Sequence, residues 1–454
     1  MNRIFLLTFV CCCMTTPFQS LSQTNAAAPV RLITLDPGHF HAALVQKFMY
    51  ADVDPTAHVY APDGDDLAEH LKRIERFNTR TDDPTRWQMK VHAGPDFLQQ
   101  MLAEKPGNVV VISGNNARKT DYILASVSAG LNVLADKPMA ITPEDLEKLK
   151  RAFEVAASKN VLLYDIMTER FEITTILQRE LSRMPELFGE LLPGSVEQPS
   201  ITKESVHHFS KTVSGVPLKR PQWFFDSRQQ GEGIVDVTTH LVDLIQWEAF
   251  PGHNLSVNDV EMLQARRWPT PVTPDQFRKV TGADNYPDYL KKDVEDGVLQ
   301  VYANGEFIYT LRGIHAKVSV KWDFEARPGA GDTHFSIMRG TKANLVIRQG
   351  AEQKFKPVLY IEQANSATDA KFADHVKRAL ETVAEKYPGV GVERDETSWR
   401  VTVPEKYHNG HEAHFAQVTE NFLEYLRVGK LPDWEVPSMI TKYSTIMKAY
   451  QSSR

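Results

Sequence analysis

Residues 108–114, NVVVISG, constrain the fold more than any other stretch of this chain. Their consecutive branched apolar side chains leave no polar face, so a strand made of them is covered on both sides. Such a strand belongs to a parallel sheet, whose crossovers are helices lying on either surface. The flanking sequence supplies those pieces. RLITLD (31–36), AHVYAPD (57–63), LNVLAD (131–136) and VLLYDIM (161–167) read as further strands. LAEHLKRIERFN, ARKTDYILASVSAG and PEDLEKLKRAFEVAASKN read as helices, the second closed by Gly130 and the third opened by Thr142 and Pro143. PGHFHAALVQKFMY reads as a turn and a helix. Strand alternating with helix over residues 30–167 predicts an α/β domain with a doubly wound parallel sheet.

Residues 168–454 change pattern and predict an α+β domain with a large, mostly antiparallel open sheet. GVLQVYANGEFIYTLRGI and HAKVSVKWDFEA alternate as strands do, with a turn expected at Asn304–Gly305. HFSIMRGTKANLVIR reads as a hairpin and KPVLYIEQ as one more strand. ATDAKFADHVKRALETVAEKY and EAHFAQVTENFLEYLRVGK read as helices, the latter stopped by Gly429.

A formal charge of -6 excludes the basic footprint of a nucleic-acid binder. The N-terminus, MNRIFLLTFVCCCM followed by small polar residues, reads as a secretory signal peptide over residues 1–22. Its apolar run is too short to span a bilayer, so the expectation is a soluble periplasmic protein with no membrane span. The 3 cysteines, Cys11 to Cys13, all fall in that segment, leaving no disulfide or thiolate-bound metal. The expectation is no metal site at all. His408, His411 and His414 have a spacing that suits zinc, yet a loop and helix start with partly exposed imidazoles accounts for them more simply.

GEGIVDVTTHLVDLIQW (231–247) reads as an apolar helix that carries Asp236, His240 and Asp243. At helical spacing Asp236 and His240 share a face. Burying them costs several kcal/mol unless they are paired or put to use, on the order of 1–3 kcal/mol for each unsatisfied polar group. Asp243 is expected to cap or pair structurally.

Several motifs in order then carry a resemblance. SAGLNVLADKP sets Asp136, Lys137 and Pro138 after a strand, and VISGNN places Ser113 and Asn116 in the loop before it. GEGIVDVTTH, Arg170-Phe171, FGE (188–190) and HFAQVTENFLEYL follow. Together they resemble the glucose–fructose oxidoreductase / inositol dehydrogenase (Gfo/Idh/MocA) family over most of residues 31–451. The resemblance implies a Rossmann-like first domain and a nicotinamide-dependent oxidoreductase acting on a secondary hydroxyl of a sugar, glycoside or polyol. It assigns Lys137 to hydrogen-bond the reacting hydroxyl and His240 to take its proton, with Asp236 orienting the imidazole or gripping a neighbouring hydroxyl. It places Gly38, His39, His41, Asp63, Ser113, Asn116, Asp136 and Lys137 against the cofactor, and Arg170, His207, Trp223 and His240 against the substrate. Arg170 has a structural alternative, pairing across the domain interface, and Trp223 has one in the core. Asp63, closing the second strand, favours NAD over NADP if it meets the adenosine ribose; a turn aspartate is the alternative. A homo-oligomer formed through the open antiparallel face is also implied.

One element departs from the family. Its Gly-x-Gly-x-x-Gly/Ala turn, where backbone amides reach the pyrophosphate, is replaced by LDPGHFHAAL. Only Gly38 keeps its place, with Asp36 and His41 at the outer glycine positions and Lys119 where a histidine is usual. The turn is rebuilt with His39 or His41 donating to phosphate, or the dinucleotide shifts, or binding is lost. Three functions follow: an exported oxidoreductase with tightly held cofactor, a redox-neutral glycoside cleavage through a transient ketosugar, and a carbohydrate-binding protein without catalysis.

Overall fold

The computed structural model describes residues 29–453 apart from 214–215, 365–370 and 396. The proposed signal segment, residues 1–22, lies outside the described residues. The first domain is a six-stranded parallel sheet, β1 (Leu32–Leu35), β2 (Thr56–Ala61), β3 (Gln88–Ala93), β4 (Val109–Ile112), β5 (Asn132–Asp136) and β6 (Leu163–Ile166), in the order β3-β2-β1-β4-β5-β6. All four residues of β4 are buried, as the apolar run requires. Each contributes roughly 1.5–3 kcal/mol relative to exposure. The helices are α1 (His41–Leu44), α2 (Asp65–Thr79), α3 (Phe97–Glu104), α4 (Asn116–Ser128) and α5 (Pro143–Lys159). Thr142 caps α5 by accepting from the Asp145 amide, and Asn115 caps α4 by accepting from Ala117. Strand order reverses between β1 and β4, which opens a crevice beyond their C-terminal ends.

Two local expectations fail in this domain. The helix expected after the turn within 37–50 stops at Leu44. The Tyr50 hydroxyl donates to the Val45 carbonyl and the Trp87 indole to that of Gln46, so side chains take acceptors that a longer helix would use. β3 was not anticipated because it is an edge strand, QMKVHA, with no fully buried residue and hence no apolar signature.

The second domain contains a ten-stranded sheet among the described residues. Its path runs Val260–Val272, Val298–Leu311, Ile314–Glu325, Ile201–Ser210, Thr333–Arg339, Ala343–Gln349, Val358–Gln363, Trp399–Thr402 and Gly391–Arg394, with Val294–Glu295 paired beside Val298–Leu311. Only the pairing of Ile314–Glu325 with Ile201–Ser210 is parallel within it. The turn expected at Asn304–Gly305 is instead the middle of one strand, and the chain reverses at Arg312-Gly313. Glycine is required at 305 because a Cβ would lie 2.5 Å from Ile234 Cβ. Asn304 spends its side chain on Thr270 Oγ1, the Trp268 carbonyl and the Trp322 amide, stitching three strands.

The helix expected over 231–247 begins only at Thr238 and runs to Ala249. Residues 233–237 form turns, with the Gly233 amide donating to the Tyr302 carbonyl. A Cβ on Gly233 would sit 1.7 Å from the Ala303 carbonyl oxygen, so the chain presses directly on the neighbouring strand there. Asp236 therefore reaches the site from a turn and not from a helix face.

A buried ionic network ties the domains together. Lys442, on the C-terminal helix Glu435–Ser452, lies 2.7 Å from Asp165 of β6 and 2.8 Å from Asp243. Arg170 forks onto Asp243 at 2.6 and 2.7 Å and reaches Glu435 at 2.7 Å. On the same helix, Tyr443 donates to Asp165 and accepts from the Met139 amide. That last bond fixes the segment just after Lys137.

Candidate active site

The crevice beyond β1, β4 and β5 widens into a cleft of about 1050 Å³ between the domains. β5 ends at Asp136, which delivers Lys137 to its floor, and the Lys137–Pro138 bond that follows is cis. The Lys137 ammonium donates to Asp236 Oδ1 at 2.5 Å, and Gln230 Nε2 holds Asp236 Oδ2 at 3.1 Å. His240, in the first turn of the Thr238–Ala249 helix, lines the same cleft. Its Nδ1 is buried without a hydrogen-bond partner among the described residues. Burial, then the charge of Lys137, holds the His240 pKa well below that of a free imidazole. At neutral pH it is an unprotonated base beside an ammonium–carboxylate pair.

A second group lies beside the first. His41 Nδ1 is 2.9 Å and His39 Nδ1 3.8 Å from Asp136 Oδ2, and Ser113 Oγ donates to the same oxygen at 2.9 Å. Burial raises the Asp136 pKa, but the His41 charge and hydrogen bond, followed by Lys119, outweigh it and hold the carboxyl well below its ordinary range. Lys119 is buried, with its ammonium on the carbonyls of Asp136 and Lys137, and burial lowers its pKa to about 8.

The rest of the cleft wall was less legible. His207 accepts or donates at Ser205 Oγ, 3.0 Å away, and lies 3.4 Å from Asp332. His411 sits 5.4 Å from the His41 ring, centre to centre, with Glu169 3.7 Å from its Nδ1. Burial and the neighbouring Glu172 push the Glu169 pKa up. Glu169 and Asp332 carry no motif, so nothing in the sequence singled them out. His408, His411 and His414 do not converge: His411 faces the cleft and His414 is buried in its helix.

Comparison with known proteins matches both domains. Residues 66–164 match the family model "Oxidoreductase family, NAD-binding Rossmann fold", and residues 177–454 match "Putative oxidoreductase C terminal domain". A crystal structure of a "putative oxidoreductase" from Parabacteroides merdae is 54% identical, covers 94% of this chain and 98% of its own, and superposes with a TM-score of 0.92. The chain belongs to the Gfo/Idh/MocA family of oxidoreductases. More distant solved structures share the fold. KijD10, a 3-ketoreductase from Actinomadura kijaniata solved with NADP and TDP-benzene, is 14% identical over 94% of this chain and 98% of its own, at a TM-score of 0.56. GenD2 from gentamicin A biosynthesis, solved with NAD, is 14% identical over 95% of each chain, also at 0.56. No curated protein matches this chain.

Membership in Gfo/Idh/MocA implies a nicotinamide dinucleotide, and the altered turn tests whether this chain cradles one. Asp36 takes the left-handed conformation of the glycine it replaces, with φ 48°, and its carboxyl accepts from Tyr122. The amide of His39 donates to the Ser113 carbonyl, and those of Ala42 and Ala43 donate to His39 and Phe40. The space over Gly38 is filled: a Cβ there would lie 3.0 Å from an Asp66 carboxylate oxygen and 3.1 Å from the Trp223 ring. A carboxylate and an indole thus stand where the second glycine should admit a pyrophosphate, and α1 has only 4 residues. The residues do not fit the family's usual cofactor grip.

The remaining expected site residues divide accordingly. Ser113 and Asp136 face His39 and His41, and Asn116 donates across the domain boundary to the Gln230 carbonyl at 2.7 Å. Asp63 is exposed at a second pocket of about 540 Å³, among Asp36, Asp65, Asp66 and Glu69. Two substrate assignments are corrected. Arg170 is buried in the interdomain ionic network, because Asp243 and Glu435 saturate its guanidinium, and it does not line the cleft. Trp223 lies in the second pocket with its indole N–H on Asp66 at 3.0 Å, away from the cleft floor. Asp243 pairs structurally, as expected.

Proposed function

We propose that this chain is an exported oxidoreductase acting on a secondary hydroxyl, or the corresponding ketone, of a sugar, glycoside or polyol. The observation that carries the reading is the Lys137–Asp236 pair next to an unprotonated His240 on the floor of a cleft with room for a saccharide. Oxidising such a hydroxyl removes its proton while negative charge grows on oxygen. Lys137 donates a hydrogen bond to that oxygen and offsets the charge, and Asp236 holds the ammonium in place. His240 accepts the proton, and the reverse sequence delivers it to a ketone. Oxidation also needs a hydride acceptor, which a nicotinamide dinucleotide held otherwise than through the filled turn, or an external acceptor, would supply; this chain's own residues perform the proton half. The leader-like segment at residues 1–22 supports export.

The filled turn favours a second reading with the same residues. Removing the proton beside a sugar ketone lets a glycosidic oxygen leave as its own hydroxyl, which needs a base and an acid but no net electron acceptor. Product analysis by mass spectrometry, with glycosides and ketosugars offered in the presence of NAD, NADP or an artificial acceptor, tests both. A ketosugar two mass units lighter than its parent supports oxidation, and a released aglycone without acceptor reduction supports the cleavage (about 2 Da being the two hydrogens lost in alcohol oxidation). No conversion of any carbohydrate refutes both.

A further inference from the structure

The proton chemistry above leaves His39, His41 and Asp136 without a task. We propose that these three side chains hold one divalent transition cation, of the zinc, manganese or iron(II) class, at the open end of β1, β4 and β5. The inference reverses the sequence expectation of no metal site, and its binding claim is independent of the proposed function.

The geometry is that of a site. One donor atom from each of the three residues lies within 4.8 Å of the other two. The separations from Asp136 Oδ2 are 2.9 Å to His41 and 3.8 Å to His39. A cation at about 2.0–2.1 Å from each donor sets neighbouring donors roughly 3–3.5 Å apart, so small rotations close the set. Two imidazoles and one carboxylate on one side of the ion leave its other side for exchangeable ligands. Here that side is the cleft, since all three residues line it together with Lys137 and His240. Ser113 Oγ donates to Asp136 Oδ2 at 2.9 Å and so fixes the carboxylate's orientation, as the outer partners of metal ligands do.

The surroundings also suit a cation. Two ammonium groups stand nearby. Lys137 is neutralised by Asp236, and Lys119 points at backbone carbonyls. His41 stands at an outer glycine position of the family's turn, so the change that departs from the family there also supplies a ligand. On the carbohydrate reading above, the ion takes a hydroxyl or carbonyl oxygen of the substrate into its open position and polarises it alongside Lys137.

The test uses the full chain, stripped with a chelator, dialysed against zinc, manganese, cobalt or anaerobic iron(II), and analysed for metal by mass spectrometry. The expected result is close to one cation per chain for at least one metal, falling at least tenfold in His41→Ala and Asp136→Asn. His58→Ala, on β2 where its ring pairs with His92, keeps the wild-type content. Ser113→Ala, which removes only the outer partner, weakens affinity by about 10- to 100-fold with the stoichiometry unchanged at saturation. Wild-type protein that takes up no cation, or uptake that survives both ligand substitutions, overturns the site. Carbohydrate conversion by a wild type that takes up no cation overturns this inference alone. A loaded wild type that converts none supports the site and overturns the proposed function.

Discussion

At the scale of single residues, the account turns on Asp236 and His240, whose roles come from their neighbours and not from their types. Asp236 is engaged on both oxygens, by Lys137 and by Gln230. Asp236→Asn keeps the shape and removes the charge that fixes the ammonium. Turnover is expected to fall by about 10²-fold with the fold intact, since a displaced catalytic group costs about that much, and steady-state kinetics with circular dichroism check it. His240 has its pKa held well below 6.5, first by burial and then by Lys137. A base with a lowered pKa stays unprotonated as pH falls, so the acidic limb of kcat/KM is expected to lie below pH 6.5 and not at it. A pH–rate profile decides this: in His240→Ala that limb disappears, and a wild-type limb at or above the free-imidazole value contradicts the assignment.

At the scale of elements, the chain was legible where periodicity was strong and misleading where a single close approach set the backbone. The apolar run of β4 and the capped α5 follow directly from pattern and cap chemistry. Asn304–Gly305 carries the signature of a turn, but Gly305 is there because Ile234 packs on its backbone. Likewise Gly233 lies under Ala303, which holds residues 233–237 out of the helix and aims Asp236 at Lys137. Neither contact is visible from one segment alone. Gly233→Ala is expected to destabilise the protein by about 1–3 kcal/mol, the usual cost of overpacking, and to lose activity with it; an unchanged melting temperature contradicts the close packing. Lys442→Met leaves Asp165 and Asp243 facing each other in the buried network, which Arg170 only partly offsets. The expected loss is about 3–5 kcal/mol, read as a lower denaturation midpoint. The sequence also pointed to Arg170 and Trp223 as substrate contacts, and no local signal reveals that Glu435 or Asp66 claims them first.

At the scale of the whole molecule, the same burial that tunes the site makes the protein sensitive to acid. His70 and His414 are buried with pKa values lowered to about 4, and His334 to about 3. Unfolded, each binds a proton near pH 6.5, whereas folded it does not, so the unfolded state gains protons first as pH falls. Stability is expected to be full above about pH 7 and to drop by about 1–2 kcal/mol per such histidine by pH 5. Urea midpoints across that window measure it, and a flat profile contradicts neutral burial. Both domains line the cleft, and on the proposed function Lys137 from the first works only with Asp236 and His240 from the second. The most direct test of that claim is kcat/KM for Lys137→Ala, His240→Ala and the double variant on the substrate that product analysis identifies. Groups that act as a unit are expected to lose about 10²- to 10⁴-fold singly, with the double variant no slower than the worse single one. Full turnover in either single variant, or losses that multiply, contradicts the account.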